Sequence, residues 1–165
     1  MDDDLRQAVL EASERLWVCQ EVSRVYEDVE AEVSRQRPAC AMSGACCRFE
    51  DVGHRLYVTT MEAAAFVHDL RRMRQMAHRL RQSIRGWQGE GCPFQVEKLC
   101  GVHAIRPFGC RMFFCDASSV EWQHVQYERF HGELKRLHEA LGVVYQYMEW
   151  REALRGVILP AVQDV

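Results

Sequence analysis

Seven of the chain's eight cysteines fall between Cys40 and Cys115, and this crowding constrains the fold more than any other feature. Cys40, Cys46, Cys47, Cys92, Cys100, Cys110 and Cys115 sit mostly on stretches beside Gly and Pro, where backbone can bend around a common point. The opening segment MDDDLRQAVLEASERL is acidic and lacks the basic and apolar regions of a signal peptide. No apolar run approaches the ~20 residues of a membrane-spanning helix. A cytoplasmic setting without membrane contact is therefore expected. In a reducing cytosol such a density of thiols points to metal ligation or catalysis rather than to disulfides.

The spacing narrows the choice. Successive side chains diverge, so Cys46 and Cys47 do not easily take neighbouring corners of one tetrahedral ion. The pair suits two metal atoms, or one ligand plus one buried thiol. Structural zinc is usually gripped by C-x2-4-C hooks, and only Cys110-x4-Cys115 qualifies, the other short gaps being five, seven and nine residues. This favours an iron–sulfur cluster, while zinc, which also takes irregular four-cysteine sites, stays open as the alternative. Arg48, Arg106 and Arg111 each lie beside a cysteine or four residues from one. They are placed to donate hydrogen bonds to sulfur and to offset its charge, though each could equally be a plain surface residue.

With "CAMSGACC", "GCPF", "CGVHAIRPFGCR" and "FFC" in order, residues 40 to 115 resemble the YkgJ-like cysteine-cluster proteins, described as zinc- or iron-chelating domains. The resemblance implies that all seven clustered cysteines bind metal, and implies little about activity. The chain departs from the pattern at Ser43, where the family usually has its second cysteine. Eight thiols could clothe two four-coordinate centres; seven leave one position open, filled by another ligand, or one cysteine idle. His54 and His103 are the candidate replacements, although a lone loop histidine is more often a surface or capping residue. Ser43 itself reads as a turn residue ahead of Gly44.

Outside the cysteine segments the pattern is helical. Leu5, Val9, Ala12, Leu16, Cys19, Val22, Tyr26, Val29 and Val33 recur at three- or four-residue spacing, predicting one helix over 4–35 that Arg37-Pro38 terminates. Cys19 falls on this stripe and reads as a small buried hydrophobe. Thr59 and Glu62 form a capping box for a helix over 60–85, with Phe66, Leu70, Met73, Ala77, Leu80 and Ile84 inward. Ser118 and Glu121 repeat the device for a helix over 119–141. Tyr127, Phe130, Leu134, Leu137 and Leu141 form its core face, and Gly142 closes it. A short helix is expected in MEWREALRG, a strand in RLYV, and a hairpin in CPFQVEKLCGV turning at Glu97-Lys98. The fold class expected is mainly α, one domain over 1–165 with helices packed around an irregular cysteine-rich metal-binding core.

The arginine-rich RRMRQMAHRLRQSIR (71–85) could bind nucleic acid. However, the net charge is −3, and residues 1–32 carry ten acids against three arginines. Internal pairing with that acidic helix is the better account. Phosphate loops, nucleophile elbows and zincin motifs are absent from the sequence. Three functions remain: an iron–sulfur protein in electron transfer or as a redox enzyme component, a zinc protein whose closed site staples an interaction domain, or a carrier that delivers zinc or iron. Each implies a protein redox or metal-transfer partner.

Overall fold

A computed structural model describes residues 2–40, 43–73 and 78–162, which are mainly helical with two short antiparallel strand pairs. Helix α1 (Asp3–Glu14) starts at Asp2, and α2 (Leu16–Gln36) follows after one non-helical residue, Arg15, at φ −89° and ψ 93°. The single helix expected over 4–35 is therefore two. Unbroken, it would run about 48 Å and overshoot the core; bent at Arg15, both halves pack against one central helix, α4 below. The carbonyl freed at Ser13 finds partners in His68 Nδ1 (3.0 Å) and the Cys19 thiol (3.9 Å). The bend also shifts the apolar phase. Val18 and Val25 join Cys19, Val22 and Val29 in the core, while Leu16 is left 54% exposed. Arg37, at φ 52°, ends α2 ahead of Pro38 as expected.

A four-residue helix α3 (Phe49–Val52) and strand β1 (Tyr57–Thr59) lead into α4 (Thr60–Arg72). The capping box is formed: Thr59 Oγ1 accepts from Glu62 N (3.3 Å) and the Glu62 carboxylate accepts from Thr59 N (2.9 Å). Residues from Thr60 to Val67 are buried without interruption, so α4 is the axis of the molecule. Met73 leaves the helical region at ψ 75°, which cuts short the helix expected to 85; Ala77 of its expected inner face lies outside the described residues. Helix α5 (His78–Gly86) takes a separate job. Its Leu80 meets Gly101, and Ser83 Oγ donates to Gln95 O (3.2 Å), so it covers the cysteine hairpin.

That hairpin is β2 (Gln95–Val96) with β3 (Leu99–Cys100), turning at Glu97-Lys98 as expected. Both turn residues have positive φ, 51° and 67°, the type I′ geometry that matches strand twist. Helix α6 (Phe108–Met112) precedes the long α7 (Val120–Leu141), which Gly142 closes at φ 61°. The Ser118–Glu121 capping box does not form. Asp116 is the stronger acceptor and takes Ser118 N (3.0 Å) and both serine hydroxyls (2.7 Å each), leaving Ser119 at the N-cap without a side-chain bond. Strand β4 (Tyr147–Glu149) pairs with β1, Thr59 opposite Tyr147. The last helix thus starts later than MEWREALRG suggests: α8 (Trp150–Ala153), a π-helical stretch (Leu154–Ile158) and α9 (Leu159–Val162).

Two apolar clusters result. Phe66, Phe94 and Trp150 form the aromatic centre of the larger one, with ring centroids 5.1–6.3 Å apart. The smaller joins Val25 and Val29 of α2, Phe108 and Met112 of α6, and Phe130 and Leu134 of α7. Helix α6, which carries Cys110, is thereby wedged between the two long helices. Among the described residues no helix is long and apolar enough to cross a membrane.

Candidate metal centre

The two cysteine-bearing segments are stitched together by backbone. Ser43 Oγ accepts from Ala45 N (3.3 Å), starting the 3-10 turn Ala45–Cys47. The left-handed Gly44 (φ 69°) lies so close to the hairpin that a Cβ there would sit 2.2 Å from Lys98 O. Gln95 Nε2 donates to Gly44 O (2.8 Å), Cys92 N to Cys47 O (2.9 Å) and Gly91 N to a Glu50 carboxylate oxygen (3.0 Å). These contacts set Cys46 and Cys47 against the hairpin that carries Cys92 and Cys100.

The thiols meet as a consequence. Cys47 is buried, and Cys100, Cys46 and Cys92 are the neighbours that act on its thiol. Those neighbours, Cys100 foremost, push the Cys47 thiol up, so that it keeps its proton. Cys47 in turn holds the Cys46 and Cys100 thiols below the usual thiol range. Cys110 is raised by burial first and then by the negative charge of Cys92, Cys100 and Cys46. Five of the seven cysteines therefore sense one another. Cys40 and Cys115 are exposed. Ala39 N donates to Asp116 Oδ2 (3.4 Å), which holds the chain next to each of the two on the same side of the molecule. Cys19 is 5% exposed in the core, its thiol pushed up to about 11 by burial and then by Asp69.

Among the described residues no three His, Cys, Asp or Glu side chains already stand in a metal-holding arrangement. The fold supplies proximity instead, with thiols near enough to shift one another's protonation, and a metal would displace the protons they hold. Two observations fit a metal there. Four sulfur donors converge through Cys47, a soft set suited to zinc or an iron–sulfur cluster. The buried Nε of Arg106 has no hydrogen-bond partner among the described residues, although the Arg106 charge favours the thiolates of Cys46, Cys100 and Cys110. A sulfur accepting from that N–H would satisfy it.

The arginines divide. Arg106 faces the thiols, while its terminal nitrogens engage His103 Nε2 and donate to Glu30 (3.3 Å). Arg48 donates to Asp51 (2.6 Å) and to Ser43 O (3.1 Å), bracing the loop while its charge favours the Cys46 thiolate. Arg111 turns away from sulfur. It donates to Arg106 O (2.8 Å), Ala104 O (2.7 Å) and Glu30 (2.7 Å), with its guanidinium over the Tyr26 ring at 4.4 Å. Neither histidine is presented as a ligand. His54 Nε2 bonds the Cys46 carbonyl (3.3 Å) with its ring stacked on Phe113, and the exposed His103 is engaged by Arg106. Arg71 pairs with Glu14 (2.7 Å), linking the arginine-rich segment to the acidic first helix.

Glu62 is the residue that sequence reasoning left at its capping role. Its carboxylate, 1% exposed, also accepts from Phe108 N (3.0 Å) and Tyr26 Oη (3.5 Å), tying the start of α6 to α4. Desolvation pushes its carboxyl up to about 7. Comparison of the chain with protein families, with curated proteins and with solved structures finds no match.

Proposed function

We propose that the chain is a metal-thiolate protein of the YkgJ-like kind, holding an iron–sulfur cluster and serving in electron transfer or as a redox enzyme component. The observation that carries this reading is the meeting of Cys46, Cys47, Cys92 and Cys100 through the Cys47 thiol, with Cys110 close enough to feel their charge. More than four thiols at one place exceed what a single tetrahedral ion takes, which favours a cluster. When bound, such a cluster supplies a one-electron couple. The chain's own residues would set its environment: Arg106 offsets thiolate charge and offers its unpartnered Nε–H to sulfur. Burial of Cys47 and the packing of Cys110, on α6, against the larger apolar cluster limit water, and Arg48 holds the loop that presents Cys46.

The four-thiol set around Cys47 also supports a second reading, a zinc ion that closes the loops structurally. Elemental analysis and visible absorption of protein purified without oxygen separate the two. Iron with acid-labile sulfide and broad visible absorption supports the cluster. One or two zinc ions in a colourless protein retires it in favour of zinc. In either case Cys47→Ala should abolish metal retention, whereas Cys40→Ala should retain at least half. Full metal occupancy in C47A would sink both readings.

A further inference from the structure

A second feature lies beside α6. A cavity of about 310 Å³ opens between β1, β4, α6 and the start of α7. Its back wall adjoins the thiol group, because Gly109 precedes Cys110 and His54 is bonded to the Cys46 carbonyl. Nothing in the metal reading uses it.

The walls are flat and aromatic. Tyr57 and Tyr147 stack with centroids 5.0 Å apart and planes 18° apart; His54 and Phe113 stack at 4.1 Å and 9°. A cavity of roughly 150 Å³ suffices to take up benzene, so this one accommodates one ring and a substituent with room to spare. Planar faces of this kind bind planar π systems by offset stacking.

Beside His54, Gln123 and His124, which can donate or accept, the cavity offers dedicated donors. Tyr127 and Tyr147 hydroxyls are bonded to each other, which uses one of their two protons and leaves the other O–H to donate. Arg55 lines the same cavity and is exposed, and among the described residues its guanidinium has no hydrogen-bond or ion-pair partner. Among the described residues lining the cavity there is no carboxylate. Arg55, Tyr57 and Tyr147 also border the neighbouring groove that holds Glu149 and Glu152, but on the cavity side the spare donor and the Arg55 charge select an anion; the walls select a ring.

We propose that this cavity binds a small planar aromatic carboxylate, its ring between the Tyr57–Tyr147 and His54–Phe113 stacks and its carboxylate on Arg55 and the free tyrosine O–H. The proposal is independent of which metal the thiols hold.

The test titrates the full chain with benzoate and with benzamide, its neutral counterpart, following tyrosine and tryptophan fluorescence and broadening of the ligand's proton lines. Saturable one-site binding of benzoate is expected. Benzamide should bind about tenfold more weakly or worse, the scale of a lost charge-assisted contact. Arg55→Gln should weaken benzoate by a similar factor while leaving benzamide, metal content and thermal unfolding unchanged, since Arg55 is exposed. Absence of saturable benzoate binding overturns the proposal, as does equal affinity for benzamide or an unaltered R55Q. Loss of metal in C47A with benzoate binding intact leaves this site standing apart from the metal reading.

Discussion

At the scale of single residues, Glu62 shows how much one side chain can be asked to do. Its two oxygens close the α4 capping box and accept from Phe108 N, in a site from which water is excluded. Desolvation outweighs these hydrogen bonds and raises its carboxyl from the ordinary 4.5 to about 7. The folded state therefore holds this proton more tightly than the unfolded chain does. The associated stability is complete below pH 4.5, falls as pH rises, and is gone above about 7, amounting to about 3 kcal/mol at most. Glu62→Gln removes the titration, so the difference in unfolding free energy between the two proteins should move toward the variant from pH 4.5 to pH 7.5. Urea unfolding at the two pH values checks it; a constant difference would refute the assignment. The capping role is legible from T-x-x-E alone. The bond to Phe108 is not, because it joins residues 46 positions apart and depends on where α6 comes to rest.

At the scale of elements, local chemistry was a good guide in most places where the cause was local, the exception being the Ser118–Glu121 box that Asp116 pre-empts. The capping box, the turn at Glu97-Lys98, the glycine end of α7 and the stop at Arg37-Pro38 all follow from neighbours in sequence. The breaks at Arg15 and Met73 do not. Periodicity continues across both, and what bends the chain is the need of α1 and α2 to share α4, and of α5 to cover the hairpin. Strand β4 was missed for the same reason: its partner β1 lies some ninety residues earlier. The hairpin offers a quantitative check. Glu97 and Lys98 both adopt left-handed backbone without being Gly or Asn, which costs on the order of 1 kcal/mol each. The double change Glu97→Asn, Lys98→Gly supplies the pair that type I′ turns prefer. It forfeits the Arg79–Glu97 ion pair, but both partners are about two-thirds exposed and the pair contributes little. The variant should gain about 1 kcal/mol in thermal or urea unfolding. Gly44→Ala should act in the opposite direction by about 1–3 kcal/mol, since it adds left-handed strain and drives a Cβ into the Lys98 carbonyl. If G44A were neutral, the close approach of the two cysteine segments would be wrong.

At the scale of the whole molecule, sequence pattern gave the cysteine segments and the helices but not the joint between them. That joint is Arg111, read from sequence as a donor to sulfur and found as a structural clamp. It is 7% exposed, and three of its nitrogens are committed: two to the carbonyls of Ala104 and Arg106, one to Glu30 of α2. The stretch it grips connects Cys100 to Cys110 and carries Arg106, so the clamp holds the thiol group against the helical body. Such a fork cannot be replaced by a point charge. Arg111→Lys can satisfy Glu30 or one carbonyl, but not all three, and leaves buried acceptors unpaired. It should cost about 2–4 kcal/mol of stability. The loss should also be local. Amide exchange in residues 100–112 should accelerate well before that in α4, whose residues Thr60 to Val67 are all buried. Glu30→Gln provides the contrast: Glu30 is 44% exposed, its amide oxygen can still accept from Arg111, and the effect should stay under about 1 kcal/mol. Equal acceleration of α4 and residues 100–112 in R111K would mean that the molecule unfolds as one unit and that the clamp has no special hold on the cysteine segment. Selective acceleration, accompanied by loss of bound metal, would make Arg111 the link through which helix packing keeps the thiols together.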